Sequence, residues 1–193
     1  MTRKINEIYD QTIQALMNNS RALPKYSEEV IRQLKEEFDA QDFSKMSTDE
    51  AKEFLKKIFC ILTNTQTTTT EFQDMLLKSY EKVKMLKNNS DLIIMMLAAV
   101  SKQFIDHSSK SGKPIPIEIF NLLKNNLLNK NPEVLEWTLR AIDSLGPQGL
   151  RLEKEVKSLR PSLLKIFNKH QQAAFEIVNH IEKEWSRLKN EKK

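Results

Sequence analysis

The chain has 193 residues, of which 39% are hydrophobic and 30% are charged, and it contains 3 glycines and 6 prolines. This composition excludes a disordered chain, and so few turn residues argue against a β-sandwich or a β-barrel. Basic residues exceed acidic ones by 31 − 26 = 5, a mild excess that permits anionic partners. We therefore expect an all-α protein, and the length predicts one domain over residues 1–193 that folds without disulfides or metals.

Apolar residues spaced three and four apart predict two amphipathic helices within residues 3–38, the second capped by Ser27. A third helix is predicted to begin at Ser47 or Thr48, where acidic residues fill the first turn, and to end near Thr63. Threonines are poor helix formers and good caps, so residues 67–70 predict a linker that ends in the N-cap of a fourth helix.

The fourth helix is predicted to reach a break at Asn88 and Asn89, and the fifth to cover residues 92–105. Because the fifth helix is apolar on every side, we expect it to be central. The sequence HSSKSGKPIP at 107–116 is typical of a loop. Further helices are predicted at 116–129, 132–145, 150–169 with a break at Pro161, and 171–189.

An internal repeat is visible when residues 131–142 are placed over 89–100, a shift of 131 − 89 = 42. Each of the stretches that match begins with a capping or turn residue and follows another amphipathic helix. A further shift of 42 places Asp91, Leu97 and Val100 on Asp49, Leu55 and Ile58. A shift of 39 places Ala173, Val178 and Ile181 on Val134, Leu139 and Ile142.

This pattern resembles HEAT and armadillo repeats, which are helix pairs of about 40–47 residues. NPEVLEWTLRAIDSLG at 131–146 is similar to a second HEAT helix, and LRPSLLKIFNK at 159–169 to a proline-kinked first helix. The resemblance implies a HEAT-like α-solenoid, a short right-handed superhelix of antiparallel helix pairs with about four repeats over 47–189 and helices 3–38 as a divergent cap. Asn131 and Leu135 depart from the family pattern, which often has Asp and Arg at these places. The alternative is a compact helical bundle.

The residues needed for catalysis are not brought together by the sequence. Three dispersed glycines do not form a phosphate loop, and His170 and His180 lack cysteine or aspartate at ligand spacing. The single cysteine, Cys60, has apolar flanks that favour an inert buried thiol and excludes a disulfide within the chain. We therefore expect no enzyme, no cofactor and no metal site.

The helix predicted at 132–145 carries a candidate contact patch. On its helical wheel Trp137 flanks the apolar stripe, and the charged side chains lie opposite. Because second helices line the concave face in HEAT-like proteins, the resemblance makes this patch a protein-binding surface. The patch consists of Trp137, Glu136, Arg140 and Asp143. The alternative is a tryptophan that packs between adjacent repeats.

Basic residues are densest over residues 151–169. A strip of this kind can meet phosphates, although Glu153 and Glu155 dilute its field. HEAT-like alkylpurine DNA glycosylases combine a basic groove with aromatic and acidic residues, and this chain has Trp137, Trp185 and Asp143. The basic strip consists of Arg151, Lys154, Lys157, Arg160, Lys165 and Lys169.

The expected function is a noncatalytic helical-repeat module that binds another protein as a scaffold or adaptor. The alternative is nucleic-acid binding, either glycosylase-like or associated with RNA, and a third possibility is self-association through the helix at 171–189. The longest uncharged apolar stretch, 92–100, covers 9 residues, roughly half of a membrane span. The first 16 residues have no secretory h-region, so we expect a cytoplasmic protein with no membrane association.

Overall fold

The computed structural model describes residues 2–18, 23–159 and 168–191. Within these ranges the secondary structure is helical and contains no strand, which confirms the all-α class. No helix in these ranges is long and apolar enough to cross a membrane. The chain divides into two compact units, Met1–Lys113 and Pro114–Lys193. A single repeat domain over residues 1–193 stays a prediction.

In the first unit, every second helix along the chain lies beside the one before it. Its helices are α1 (Arg3–Met17), α2 (Glu28–Asp39), α3 (Thr48–Thr63), α4 (Thr70–Met85), α5 (Ser90–Val100) and α6 (Asp106–Ser111). A 3-10 turn at Phe43–Lys45 precedes α3, and a π-helical segment at Ser101–Ile105 joins α5 to α6. Helix α3 packs against α1 and α5, while α2 packs against α4. The unit therefore contains two neighbouring rows of helices.

The predicted cap at Ser27 is confirmed, and the cap of α4 lies one residue earlier than the end of the predicted linker. The Ser27 side chain accepts a hydrogen bond from the Val30 N–H, and the Thr69 side chain accepts one from the Phe72 N–H. Ser47 and Glu50 form a reciprocal capping box at the start of α3. Each cap satisfies backbone donors that have no partner inside the helix, so local sequence sets where these helices begin.

The core of the first unit is built around α3 and α5. Both helices bury residues on several sides, which confirms that α5 is central. The buried residues of α3 are Ala51, Phe54, Leu55, Ile58, Phe59, Cys60, Ile61 and Leu62. Those of α5 are Leu92, Ile93, Met96, Leu97, Ala99 and Val100. Each large side chain contributes about 1.5–3 kcal/mol by leaving water, so this packing dominates the stability of the unit.

The prediction of a loop over 107–116 is wrong for its first half. Helix α6 continues to Ser111 and ends at Gly112, whose positive φ of 70° is a conformation that glycine adopts readily. Within this helix Ser108 is buried, and its hydroxyl donates to the Lys113 carbonyl beyond the helix end at 2.6 Å. The boundary between the two units follows Lys113.

Gln103 connects the π-helical segment to the end of α3. Its side chain is fully buried, and its amide nitrogen donates to the Leu62 carbonyl at 2.8 Å and to the Thr67 carbonyl at 3.1 Å. The Gln103 carbonyl accepts a 2.8 Å hydrogen bond from the Gln73 side chain. The last carbonyls of a helix lack intrahelical partners, and Gln103 satisfies one of them at the end of α3. Its hydrogen bond to the Thr67 carbonyl also fixes the threonine linker.

We predict that Gln103→Met lowers the free energy of unfolding by about 1–3 kcal/mol, because one buried and one partly buried carbonyl lose their donor. Gln103→Glu should lower it further, since a carboxylate would face two carbonyl oxygens. Urea unfolding followed by far-UV circular dichroism measures both changes. The control Gln11→Met alters an exposed residue of α1 and should change the free energy by less than about 0.5 kcal/mol. A Gln103→Met protein as stable as the control would contradict this role.

The N-terminus of α1 is capped by a neighbouring helix. Thr2 occupies the N-cap position but makes no capping hydrogen bond with its side chain. Instead, the Glu37 carboxylate on α2 accepts hydrogen bonds from the N–H groups of Lys4 and Ile5, at 2.8 and 2.9 Å. A negative charge at this end of a helix is also favoured by the helix dipole. Glu37 therefore holds α1 against α2.

We predict that Glu37→Ala destabilises the protein by about 1–2 kcal/mol, the usual cost of losing an N-cap. The adjacent Glu36 is exposed and pairs only with Arg32 among the described contacts, so Glu36→Ala is a matched control with an expected cost under about 0.5 kcal/mol. Hydrogen exchange should accelerate at the amides of Lys4 and Ile5 in the Glu37 variant alone. Equal effects of the two substitutions would show that Glu37 is not a cap.

The second unit contains α7 (Ile117–Asn126), α8 (Pro132–Ser144), α9 (Glu153–Ser158) and α10 (Lys169–Asn190), with a 3-10 segment at Gly146–Leu152. Helix α8 has the predicted extent to within one residue. Asn131 caps it by accepting hydrogen bonds from the N–H groups of Glu133 and Val134. The helix predicted at 150–169 begins in the 3-10 segment, and the predicted break at Pro161 lies outside the described residues.

Helix α10 packs along α8 and closes the core of the second unit. From α10 the buried residues are Ala174, Val178, Ile181 and Trp185. From α8 the buried apolar residues are Val134, Leu139, Ala141 and Ile142. Gly149 permits the close approach of the 3-10 segment, because a Cβ there would lie 3.0 Å from the Ile142 carbonyl oxygen and 3.1 Å from the Trp185 ring.

Candidate functional site

The four predicted contact residues of α8 differ in exposure. Trp137 is 39% exposed, and Arg140 and Asp143 are also exposed. Glu136 is only 8% exposed. The structure therefore places Trp137, Arg140 and Asp143 on the surface and Glu136 beneath it.

The expectation that Glu136 forms part of an open patch is wrong, because the first turn of α10 covers it. His170 Nδ1 lies 2.7 Å from Glu136 Oε2. Arg140 donates from Nε and Nη2 to Glu136 Oε1, at 2.9 and 2.7 Å. The helical wheel of α8 could not show this neighbour. Glu136 thus orients Arg140 and ties α8 to α10.

A second contact between an acidic residue and a histidine lies farther along the same two helices. His180 Nε2 is 3.6 Å from Asp143 Oδ1, and both side chains are exposed. An exposed pair of this kind contributes at most about 1 kcal/mol. Two polar contacts therefore accompany the packing of α8 against α10. One is the buried Glu136 carboxylate with His170 and Arg140, and the other is the weaker surface pair of His180 and Asp143.

The environment of Glu136 favours its ionised form. Burial raises the pKa of Glu136, but hydrogen bonds from His170 and Arg140 and the charge of Arg140 lower it more, so this pKa lies below its ordinary value. A carboxylate held in this way is ionised at neutral pH. It serves as an anchor for positively polarised groups and is poorly suited to donate a proton as a general acid.

We predict an acid-dependent loss of stability that comes from Glu136. A carboxylate whose pKa is lowered by folding contributes stability above its ordinary pKa of 4.5, and this contribution is lost as the pH falls through the lower pKa of the folded state. Between about pH 5 and 3, wild type should therefore lose about 1 kcal/mol more than Glu136→Gln. Both tryptophans lie in the second unit, so tryptophan fluorescence during urea unfolding reports on this unit.

The matched control for this measurement is Glu176→Gln, which alters an exposed glutamate of α10. Its acid dependence should follow that of the wild type. Identical acid profiles for wild type and Glu136→Gln would contradict the stabilising role of this carboxylate.

Two described members of the basic strip have assigned partners: Lys157 pairs with a carboxylate and Arg151 contacts an aromatic ring. Lys157 Nζ lies 2.7 Å from Glu153, and Lys189 Nζ lies 2.6 Å from the same carboxylate. The hydrogen bonds from these two lysines lower the pKa of Glu153. Arg151 stacks on Phe120, with 4.9 Å between the guanidinium carbon and the ring centroid.

Two of the remaining members of the strip are exposed, and two lie outside the described residues. Lys154 is exposed on α9, and Lys169 is exposed at the first position of α10. Arg160 and Lys165 lie outside the described residues. Trp185 is buried against the 3-10 segment, so it cannot stack on a nucleic-acid base. The geometry therefore offers Trp137 and not Trp185 as an exposed aromatic contact.

The surroundings of Cys60 and of the potential metal ligands bear on their reactivity. Cys60 is buried, and burial raises the pKa of its thiol, which opposes formation of the reactive thiolate. Within the described ranges, His, Cys, Asp and Glu form no group of three or more that could hold a metal ion. Glu136 is bound to His170 across 34 residues, and no local sequence signal points to that pairing.

Comparison of the chain with known protein families, with curated proteins and with solved structures gives no significant match. The resemblance to HEAT repeats thus rests on the 42-residue period and on the residues at 131–146.

Proposed function

We propose that this chain is a noncatalytic helical-repeat module that binds another protein, as a scaffold or adaptor in the cytoplasm, through the exposed side of α8. The observation that carries the proposal is the exposure of Trp137 beside Arg140 and Asp143. Tryptophan and arginine are enriched among the residues that dominate binding energy at protein interfaces. The surface around Trp137 is therefore suited to a protein partner.

The support beneath this surface reduces the cost of binding. Arg140 is held by Glu136, and Glu136 is held in turn by His170. A guanidinium that is already oriented loses less conformational entropy when a partner binds, and its remaining N–H donors suit a carboxylate on that partner. The buried glutamate thereby contributes to recognition without itself reaching the partner.

The packing within each unit supports a solenoid of stacked helix pairs over the alternative of a compact bundle. The shift of 42 residues relates α3 to α5, and the shift of 39 relates α8 to α10. In each case the related helices pack against each other. Stacked repeats require this contact between equivalent helices of neighbouring pairs, and they leave long faces open for partners.

We predict that Trp137→Ala strongly reduces capture of the partner. Affinity should fall at least about 30-fold, because loss of a central aromatic contact typically costs about 2 kcal/mol or more, and proteins that copurify from a cell lysate with tagged wild type should be recovered correspondingly less with this variant. The matched control is Leu128→Ala, which removes a 79% exposed apolar side chain from the same unit. Circular dichroism should show that both variants are as helical as the wild type.

Three results would contradict the proposal. Recovery of no protein whose capture depends on Trp137 would remove its support. Recovery of nucleic acid that is released as salt rises would favour the nucleic-acid alternative. Recovery of only a second copy of the chain would favour self-association.

A further inference from the structure

A groove of about 270 Å³ lies in the first unit, where the 3-10 turn and the start of α3 meet the end of α4. Most of its surface is apolar or hydroxyl-bearing. The lining residues are Phe43, Ser44, Met46, Ser47, Thr48, Ala51, Lys82, Met85 and Leu86. The groove belongs to a different unit from Trp137, and it is formed by residues that the proposed function does not use.

The groove is lined by a firmly packed ring, Phe43, and by a flexible exposed side chain, Met85. Phe43 is held by edge-to-face contacts with Phe38 and Phe54, at centroid distances of 6.4 and 5.5 Å. Met85 is 79% exposed at the opposite side. Methionine is flexible and polarizable, so it can close over apolar side chains of different shapes. This arrangement suits an apolar group inserted from outside.

The size of the groove favours a peptide segment over a small molecule. Sites for small molecules usually measure about 300–1,000 Å³ and enclose most of their ligand. At about 270 Å³ this groove lies below that range. One or two apolar side chains of a protein segment fill such a volume while the rest of the segment stays outside.

The charges at the groove favour an acidic neighbour for that side chain. Lys82 is the only charged lining residue, and its ammonium lies 5.4 Å from the centroid of the Phe43 ring. Asp42 is within electrostatic reach of Lys82, but it also pairs with Lys45 at 3.0 Å. Glu50 is engaged with the Ser47 N–H. Among the lining residues, Lys82 is thus the charged group that a bound segment would meet, and its ammonium complements a carboxylate on that segment.

We propose that this groove binds a short acidic and hydrophobic segment of a partner protein, with an apolar side chain between Phe43 and Met85 and a carboxylate near Lys82. The site is a second docking surface, and it does not depend on the contacts of α8. Salt should weaken it only in part, because the apolar side chain supplies binding that ionic screening does not remove.

The test uses the full chain with ¹³C-labelled methionine methyl groups. Three peptides of about ten residues share the same two leucines, four positions apart, and carry glutamate, glutamine or lysine at the flanking positions. The methyl signals of Met46 and Met85 should shift with the glutamate peptide at a concentration about tenfold below that needed for the lysine peptide. Met17 is 78% exposed on α1, away from the groove, and its signal should not move.

Two substitutions complete the test. Lys82→Glu should reverse the order of the glutamate and lysine peptides, whereas Lys84→Glu, which changes an exposed lysine that does not line the groove, should preserve it. Equal shifts with all three peptides, shifts at Met17 as large as at Met85, or no shift at about 1 mM peptide would overturn the proposal. These outcomes are independent of Trp137, so either surface can fail while the other stands.

Discussion

A helix that is apolar on every side is stable in water only when other helices surround it, and α5 is such a helix. This constraint organises the described part of the first unit. Helices α3 and α4 pack directly against α5, and α3 in turn packs against α1. Because α3 is itself buried on several sides, it also needs neighbours in both directions. Because α3 and α5 must both be enclosed by other helices, the amphipathic helices of this unit pack into two rows.

Apolar burial does not satisfy the backbone groups at helix ends, and here neighbouring helices supply the missing partners. Glu37 binds the first N–H groups of α1, and Gln103 binds a terminal carbonyl of α3. Glu136 fixes the first turn of α10 through His170 in the second unit. Each polar contact couples the end of one helix to the body of another. Burial brings the helices together, and these contacts determine how their ends are placed.

The sequence predicts the local features well because their causes are local. Ser27, Ser47 and Thr69 cap their helices through residues at most three positions away. Glu37, Gln103 and Glu136 act across 32 to 41 residues, and a single sequence contains no signal for such pairings. The candidate patch on α8 was predicted in part for the same reason. The helical wheel gave the side on which Trp137 and Arg140 lie, but only the position of α10 shows that Glu136 is covered.

Charge alone is a weak guide to the partner of this chain, since the same pairing of charges occurs at two different surfaces. Lys157 and Lys189 share the Glu153 carboxylate, which offsets part of their charge. Near Phe43, a single aspartate is shared between Lys45 and Lys82 beside exposed apolar surface. Removal of apolar surface from water supplies affinity, and an adjacent charge selects the partner. The lysine density of 151–169 therefore argues less strongly for a binding surface than one lysine placed beside an open apolar groove.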